Sequence, residues 1–180
     1  MRIIDLSNEN GNFVRQSARL LVEEFTTAWA TMEDAREEVA EMLHPTKIVR
    51  IAVENNVVLG WVGANNESYD KTVWELHPLV VDSTHQRQGI GRALVADLEI
   101  EIKKQGGESI FLGTDDEDGS TSLANKNLYP NVWAHVANIQ NLDRHPYEFY
   151  QKQGYVIVGI IPDANGLGKP DIIMAKRLLT

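Results

Sequence analysis

The stretch WELHPLVVDSTHQRQGIGRALVADLEIEIKKQ, residues 74–105, decides the fold. Its opening, WELHPLVV, reads as a strand, with a bulge at Pro78 because proline cannot donate to a ladder. From Arg92 to Gln105 the apolar spacing is that of a helix, and Gly106–Gly107 ends it. Between the two lies HQRQGIG, residues 85–91, a glycine-rich turn from a strand into a helix N-terminus. Free backbone N–H groups and the helix dipole make such a turn an anion site. Gly89 and Gly91 remove side chains that would hold a phosphate away, and Gln86, Arg87 and Arg92 add donors. The turn is not a dinucleotide fingerprint, because Leu94 stands where a third small residue is needed, and G-x-x-x-x-G-K-[ST] is absent from the chain. Taken alone, the loop fits equally well a tight turn that holds no ligand.

Upstream, RIIDL is a first strand. FVRQSARLLVEEFTTAW (13–29) reads as a helix, with Val14, Ala18, Leu21, Val22 and Phe25 on one face. MEDAREEVAEMLHP is a second helix, acidic at its start and stopped near Pro45. A hairpin follows, with strands Ile48–Val53 and Val57–Ala64 joined around Glu54-Asn55-Asn56. Downstream, SIFLGT is a strand, and residues 115–145 form an irregular stretch holding a short helix. PYEFYQKQGY is a helix with a Gly154 stop, and VIVGII and DIIMAKRL are closing strands. With no internal repeat, low-complexity tract or linker, residues 1–180 are expected to form a single α/β (α+β) domain.

Lys and Arg total 17 against 26 Asp and Glu, a formal charge of −9. Such a chain should repel nucleic acid and anionic lipid and tolerate cations. The absence of cysteine excludes disulfides, thiolate metal sites and cysteine nucleophiles. No apolar run approaches the ~20 residues that cross a bilayer. MRIIDLSNEN lacks the pattern of a signal peptide. A cytoplasmic enzyme or binding protein is the expectation.

Gln86-x-x-Gly89-x-Gly91, after a strand and opening a helix, resembles the pyrophosphate loop of the GCN5-related N-acetyltransferases. YEFYQKQGYVIVG resembles that family's later helix–strand unit, in the same order, so that residues 74–112 and 144–161 carry the likeness. WELHPLVV, LGTDDEDGST, IQNLDRHPYEFYQKQGY and PDANGLGKPDIIMAK further resemble the aminoglycoside 6′-N-acetyltransferases of the chromosomal enterococcal type. The first helix, with Trp29, fits more loosely.

The resemblance implies a mixed, mostly antiparallel sheet splayed around acetyl-CoA, with helices on both faces. It implies transfer of acetyl to an aminoglycoside 6′-amine, hence antibiotic resistance, with coenzyme A as product. A homodimer is implied too, helped by the apolar C-terminal strands. Leu79, Val80 and Val81 would hold the cofactor arm, and Gln86, Arg87, Gln88, Gly89, Ile90, Gly91 and Arg92 its diphosphate. Asn141 would bind the arm as well.

Acetyl transfer needs the ammonium deprotonated, the carbonyl polarised and the thiolate released. With no cysteine, direct attack by a bound amine is the simplest course, and proximity supplies much of the rate. Glu75 is the expected base. It shares a strand face with His77, opposite Trp74, Leu76 and Pro78. His77 would position the thioester or the base, although a core histidine fits the sequence equally. The backbone N–H near Leu79 is the expected oxyanion donor. Tyr150 would give a proton or hydrogen bond to the leaving sulfur. Tyr147, one turn earlier, competes for that role, and either could be a core aromatic. Trp29 and Tyr69 could give flat contacts to sugar rings.

The acidic run 115–118 is not a calcium loop, because Thr114 and Asn125 stand where an acidic or amide ligand and a glutamate are required. Either it is a solvated turn, or Asp115 and Asp118 wall a cleft that attracts a polycation. Glu23, Glu24, Glu33 and Asp34 would add negative potential. Two other classes stay open: an N-acetyltransferase of polyamines or protein lysines, and a non-catalytic acyl-CoA sensor.

Overall fold

The computed structural model describes residues 1–25, 27–67 and 69–178. The chain forms two compact units, Met1–Ile110 with Leu178, and Phe111–Arg177.

In the first unit, β1 (Arg2–Asp5), β2 (Ile48–Glu54), β3 (Val57–Asn65) and β4 (Val73–Val81) pair antiparallel in that order. The β2–β3 turn is legible residue by residue. Asn55 and Asn56 have φ of 49° and 64°, and a two-residue hairpin turn asks for positive φ at both central positions. Asparagine tolerates that conformation better than other non-glycine residues.

Helices cover both sheet faces, as the alternation along β2 shows. Val49, Ile51 and Val53 join a core cluster with Leu20 and Leu21 of α1 (Gly11–Glu24) and Val39 and Met42 of α2 (Met32–Met42). Arg50, pointing the other way, meets Asp97 of α3 (Ile90–Lys104) through Nε at 2.5 Å. Trp61, fully buried in the cluster, donates its indole N–H to the Ser17 carbonyl at 3.1 Å. Each large apolar side chain buried there contributes roughly 1.5–3 kcal/mol.

Several element boundaries differ from the sequence reading, those of the first and third helices most informatively. The first helix stops at Glu24 rather than running to Trp29: Phe25 still donates to the Leu21 carbonyl, but its φ of −126° leaves the helix. Thr26, within the expected helix, lies outside the described residues. The next helix needs an extended cap at Thr31, which forms a capping box with Asp34. In the third helix, Ile90 and Gly91 are already helical and Gly89 is the N-cap, so the glycine turn is shorter than its composition suggests.

The second unit holds most of β5 (Ser109–Asp115), then a 3₁₀ turn at Tyr129–Asn131 leading into α4 (Val132–Ala137), and α5 (Tyr147–Gln151). β6 (Val156–Ile161) and β7 (Asp171–Arg177) close the unit as an antiparallel pair. Within each unit the neighbouring strands are thus β1-β2-β3-β4 and β6-β7. The architecture is the mixed, mostly antiparallel α/β sheet expected from the sequence.

Candidate active site

The β4 strand presents two unlike faces. Trp74, Leu76, Pro78 and Val80 are buried, while Glu75, Leu79 and Val81 are half-buried and His77 is exposed. The period of two thus places Glu75 and His77 together, as expected. His77 is not a core histidine. The strand also carries the expected irregularity: Leu79 stands opposite Val62 but Leu76 opposite Ala64, so β4 has an extra residue around Pro78. The His77–Pro78 peptide bond is cis. Across from it, a Cβ on Gly63 would lie 2.5 Å from the His77 carbonyl oxygen, so only glycine fits there.

Asn65, at the end of β3, points its side-chain amide at Glu75 Oε2 at 3.5 Å. His77 Nε2 lies 3.6 Å from Glu38 Oε1 on α2. The Trp29 ring stands 5.9 Å from the imidazole, and Phe25 packs edge-on against Trp29 at 5.3 Å. Trp29 therefore belongs to the same wall as His77. Tyr69 is 68% exposed.

The glycine turn is built by its own side chains. Asp82 caps a 3₁₀ turn at Ser83–His85 by accepting from the Thr84 N–H at 2.8 Å. The Thr84 hydroxyl first, and then that main-chain contact, hold the Asp82 carboxyl below its usual range, despite partial desolvation. Gln86 Nε2 donates back to the Val81 carbonyl at 3.1 Å, and Gln88 Nε2 to that of Thr84 at 3.4 Å. Arg87 and Gly89 both have left-handed φ, 59° and 86°. Such alternation gathers successive N–H groups into an anion-binding hollow. The N–H groups of Ile90, Gly91 and Arg92 open α3 and have no partner within the helix. A Cβ placed on Gly89 would meet nothing within 4 Å, so space lies open over this hollow. These residues fit a diphosphate.

The acidic residues are less alike than their sequence suggests. Glu24 accepts from the Ser83 N–H at 2.9 Å, tying α1 to the glycine turn, and Asp34 is committed to its capping box. Glu23 pairs with Arg19 at 3.4 Å, and Glu33 lies exposed in the first turn of α2.

Within the second unit the run 115–118 divides. Asp116 is 1% exposed and accepts from the Ser120 N–H at 2.6 Å, the Thr121 N–H at 2.9 Å and the Thr121 hydroxyl at 2.6 Å. It is a loop organiser. Asp118 is exposed, and Asp115, also exposed, accepts from the Asn165 amide.

Tyr150 and Tyr147 both lie buried on α5. Burial drives the Tyr150 hydroxyl well above the usual tyrosine range. Tyr147 is also raised, by burial and then by the Glu148 charge. Tyr150 packs edge-on against Phe149 at 5.0 Å and Tyr155 at 5.6 Å. Asn141 spends both ends of its amide on His145, accepting from its N–H at 2.8 Å and donating to its carbonyl at 2.9 Å.

His145 has no role in the sequence reading, yet it is 3% exposed and central to this loop. Its Nε2 lies 3.0 Å from the Asp115 carbonyl, which can only accept, and its Nδ1 accepts from the Tyr147 N–H at 3.2 Å. Both contacts are met by the neutral ring with its proton on Nε2. Desolvation lowers its pKa, outweighing the Asp115 carbonyl and the nearby Asp116 and Asp115 charges. The only local signal was its place before Pro146 at the start of α5.

The profile of the acetyltransferase (GNAT) family matches residues 15–129. No curated protein sequence matches the chain significantly. Among solved structures, a crystal structure of aminoglycoside 6′-N-acetyltransferase complexed with coenzyme A is 43% identical over 100% of this chain and 98% of that one, with a TM-score of 0.96. Aminoglycoside 6′-N-acetyltransferase from Enterococcus faecium is also 43% identical, with the same coverage and a TM-score of 0.93. Aminoglycoside 6′-acetyltransferase type Ii is 38% identical over 100% of this chain and 99% of that one, with a TM-score of 0.76.

Proposed function

The chain belongs to the acetyltransferase (GNAT) family, and we propose that it acetylates the 6′-amine of aminoglycoside antibiotics from acetyl-CoA and so confers resistance. The observation that carries this reading is one arrangement in the first unit. An open anion hollow at Gly89 follows directly on a strand whose accessible face holds Glu75 and His77. Likeness along the whole chain to 6′-N-acetyltransferases supports the choice of acceptor.

Acetyl-CoA, when bound, supplies an activated thioester. The chain's own residues then have the following parts. Gly89 and the backbone around it, with Gln86, Arg87, Gln88, Ile90, Gly91 and Arg92, hold the diphosphate. Leu79, Val80 and Val81 offer main-chain groups to the cofactor arm, and the Leu79 N–H is the oxyanion donor. Glu75 takes the proton of the acceptor ammonium, and His77 positions the thioester or the base. Tyr150 keeps a proton on Oη at neutral pH because burial raises it, so it serves as a donor. Asn141 binds the arm through its main chain, its side chain being engaged. Trp29, Tyr69, Asp115 and Asp118 contact the polycationic acceptor.

Residues 1–180 act as one acetyltransferase domain in this reading, in the cytoplasm, as a homodimer. β6 exposes Val156, Val158 and Ile161, which supports a protein partner there. No helix among the described residues is long and apolar enough to cross a membrane. The test is thiol release from acetyl-CoA with aminoglycosides, spermidine and a lysine-rich peptide in parallel, locating the acetylated nitrogen by NMR. Turnover confined to the peptide or spermidine would replace the aminoglycoside reading. Binding of acetyl-CoA without turnover of any acceptor would favour a sensor.

A further inference from the structure

His77 is bounded on two sides. Glu38 Oε1 faces its Nε2 at 3.6 Å, and the Trp29 ring stands 5.9 Å from its own, tilted by 47°. Neither neighbour is loose. Trp29 is braced by Phe25 at 5.3 Å and packs against the core cluster. Glu38 lies on α2 three residues after Ala35 and four before Met42, both buried, so it sits on the flank of the packed stripe. Its side chain is accordingly only 19% exposed. Glu41, also near this histidine, is committed to Lys47 at 3.0 Å, and Glu75 lies beside His77 along the same strand face. Glu38 is the carboxylate that faces the ring.

A carboxylate only accepts hydrogen bonds. A neutral imidazole with Nε2 turned toward it keeps the proton on Nε2 and leaves the lone pair on Nδ1. At 3.6 Å the contact is just longer than a hydrogen bond, and it is an ion pair only when the ring is protonated. We propose that Glu38 is a positioning residue for His77, fixing its orientation and its Nε2–H tautomer so that Nδ1 is presented as the acceptor for the substrate's ammonium. Glu75 and His77 then divide the work on one strand face: Glu75 removes the proton, and His77 Nδ1 orients the nitrogen that loses it. This rests on the reading of that face as the acceptor-binding face. It adds a specificity element, because an oriented lone pair favours a primary amine that keeps an N–H to donate.

The test combines spectroscopy with kinetics. Two-bond ¹⁵N–¹H spectra of ¹⁵N-histidine-labelled protein, recorded where the rings are neutral and assigned with His77→Gln, report the tautomer directly. Wild type should show His77 as Nε2–H, Glu38→Gln a mixture of tautomers, and Glu38→Asp an intermediate state. With kanamycin A as acceptor, Glu38→Gln should lower kcat/KM about tenfold, the usual scale for an orienting outer partner. The affinity for acetyl-CoA should stay unchanged. In a His77→Gln background the same substitution should cost less than about twofold.

A wild-type ring in the Nδ1–H form, or in an even mixture, overturns the proposal whether or not the variants fold. So does an equal loss from Glu38→Gln with and without His77, or a His77→Gln enzyme of full activity. Failure of the underlying reading looks different: Glu75→Gln would keep full turnover while the His77 tautomer still responded to Glu38.

Discussion

Asp116→Ala should unfold a loop rather than weaken a binding site. The Asp116 carboxylate accepts from Ser120 and Thr121 N–H groups and from the Thr121 hydroxyl at 2.6–2.9 Å. A hydrogen bond to a charged group is worth roughly 1.5–3 kcal/mol, and a buried donor left unmade costs about 1–3 kcal/mol. Ser120 is half-buried and can recover a water, whereas Thr121 is 2% exposed and cannot do so freely. The loss should therefore lie near 3–5 kcal/mol, dominated by Thr121. For a chain of this size that lowers the melting temperature by about 10 °C. Asp116→Asn keeps the shape and one acceptor oxygen, so its cost should be about 1–2 kcal/mol. Urea unfolding followed by circular dichroism measures both, with a shift in midpoint at constant slope. A loss under ~1 kcal/mol for the alanine variant, or equal losses for both, would refute the assignment of Asp116 as the loop's organiser.

Glu75→Gln should lower turnover by about 10²–10⁴ at neutral pH with acetyl-CoA affinity nearly unchanged, as expected for a positioned base; a loss under about threefold would move the proton elsewhere. Gly89→Ala should cost roughly 1–2 kcal/mol in urea unfolding, because φ is 86° there while its Cβ meets nothing. Gly89→Asn should recover most of that stability, and calorimetry should show both weakening acetyl-CoA binding if the hollow holds the diphosphate. The stability of wild type relative to His145→Gln should be greatest above about pH 6.5 and shrink as pH falls below it. Burial lowers the His145 pKa, so the unfolded chain takes up the proton first. Urea midpoints for both proteins across pH 5–8 measure it, and a gap that widened in acid would contradict a neutral His145. Asp115→Asn with Asp118→Asn should raise KM for kanamycin A far more than for acetyl-CoA and flatten its salt dependence; an unchanged acceptor KM would return both residues to solvent.

Short-range patterns in the sequence carried the elements and one face of the site. Period-two alternation along 74–81 separated Glu75 and His77 from the buried set without knowledge of any partner strand. The Asn55–Asn56 turn and the glycine turn were legible because each demands unusual backbone angles. Where local signals outlived the element that made them, the reading failed. Phe25 and Trp29 keep helical spacing and still touch, but the helix itself ends at Glu24. Gly89 and Gly91 look alike in sequence, yet one is a left-handed cap and the other lies inside the first turn. His145 and Glu38 gave no usable signal, because their partners are 30 and 39 residues away: Asp115 for the first, His77 for the second.

Net charge is the clearest case of a sequence quantity that the fold redistributes. The formal charge of −9 suggests a diffuse attraction for a polycation. Several of the carboxylates behind it are already bound to the chain's own donors. Glu24 holds the Ser83 N–H, Asp34 caps α2, Asp82 caps the turn before Gly89, and Asp116 is buried within its loop. A carboxylate whose oxygens accept from main-chain N–H groups still contributes to the distant field. It offers fewer lone pairs, however, to an ammonium at contact. At about 8–10 Å of screening in physiological salt, contact is where discrimination is made. An acceptor with several ammonium groups would therefore be sorted by the few carboxylates it meets at contact. Those placed for it are Glu75 on the accessible face of β4 in the first unit and the exposed Asp115 and Asp118 in the second. Neutralising those residues should change acceptor selection, whereas neutralising Glu24, Asp34 or Asp116 should change folding or loop geometry first.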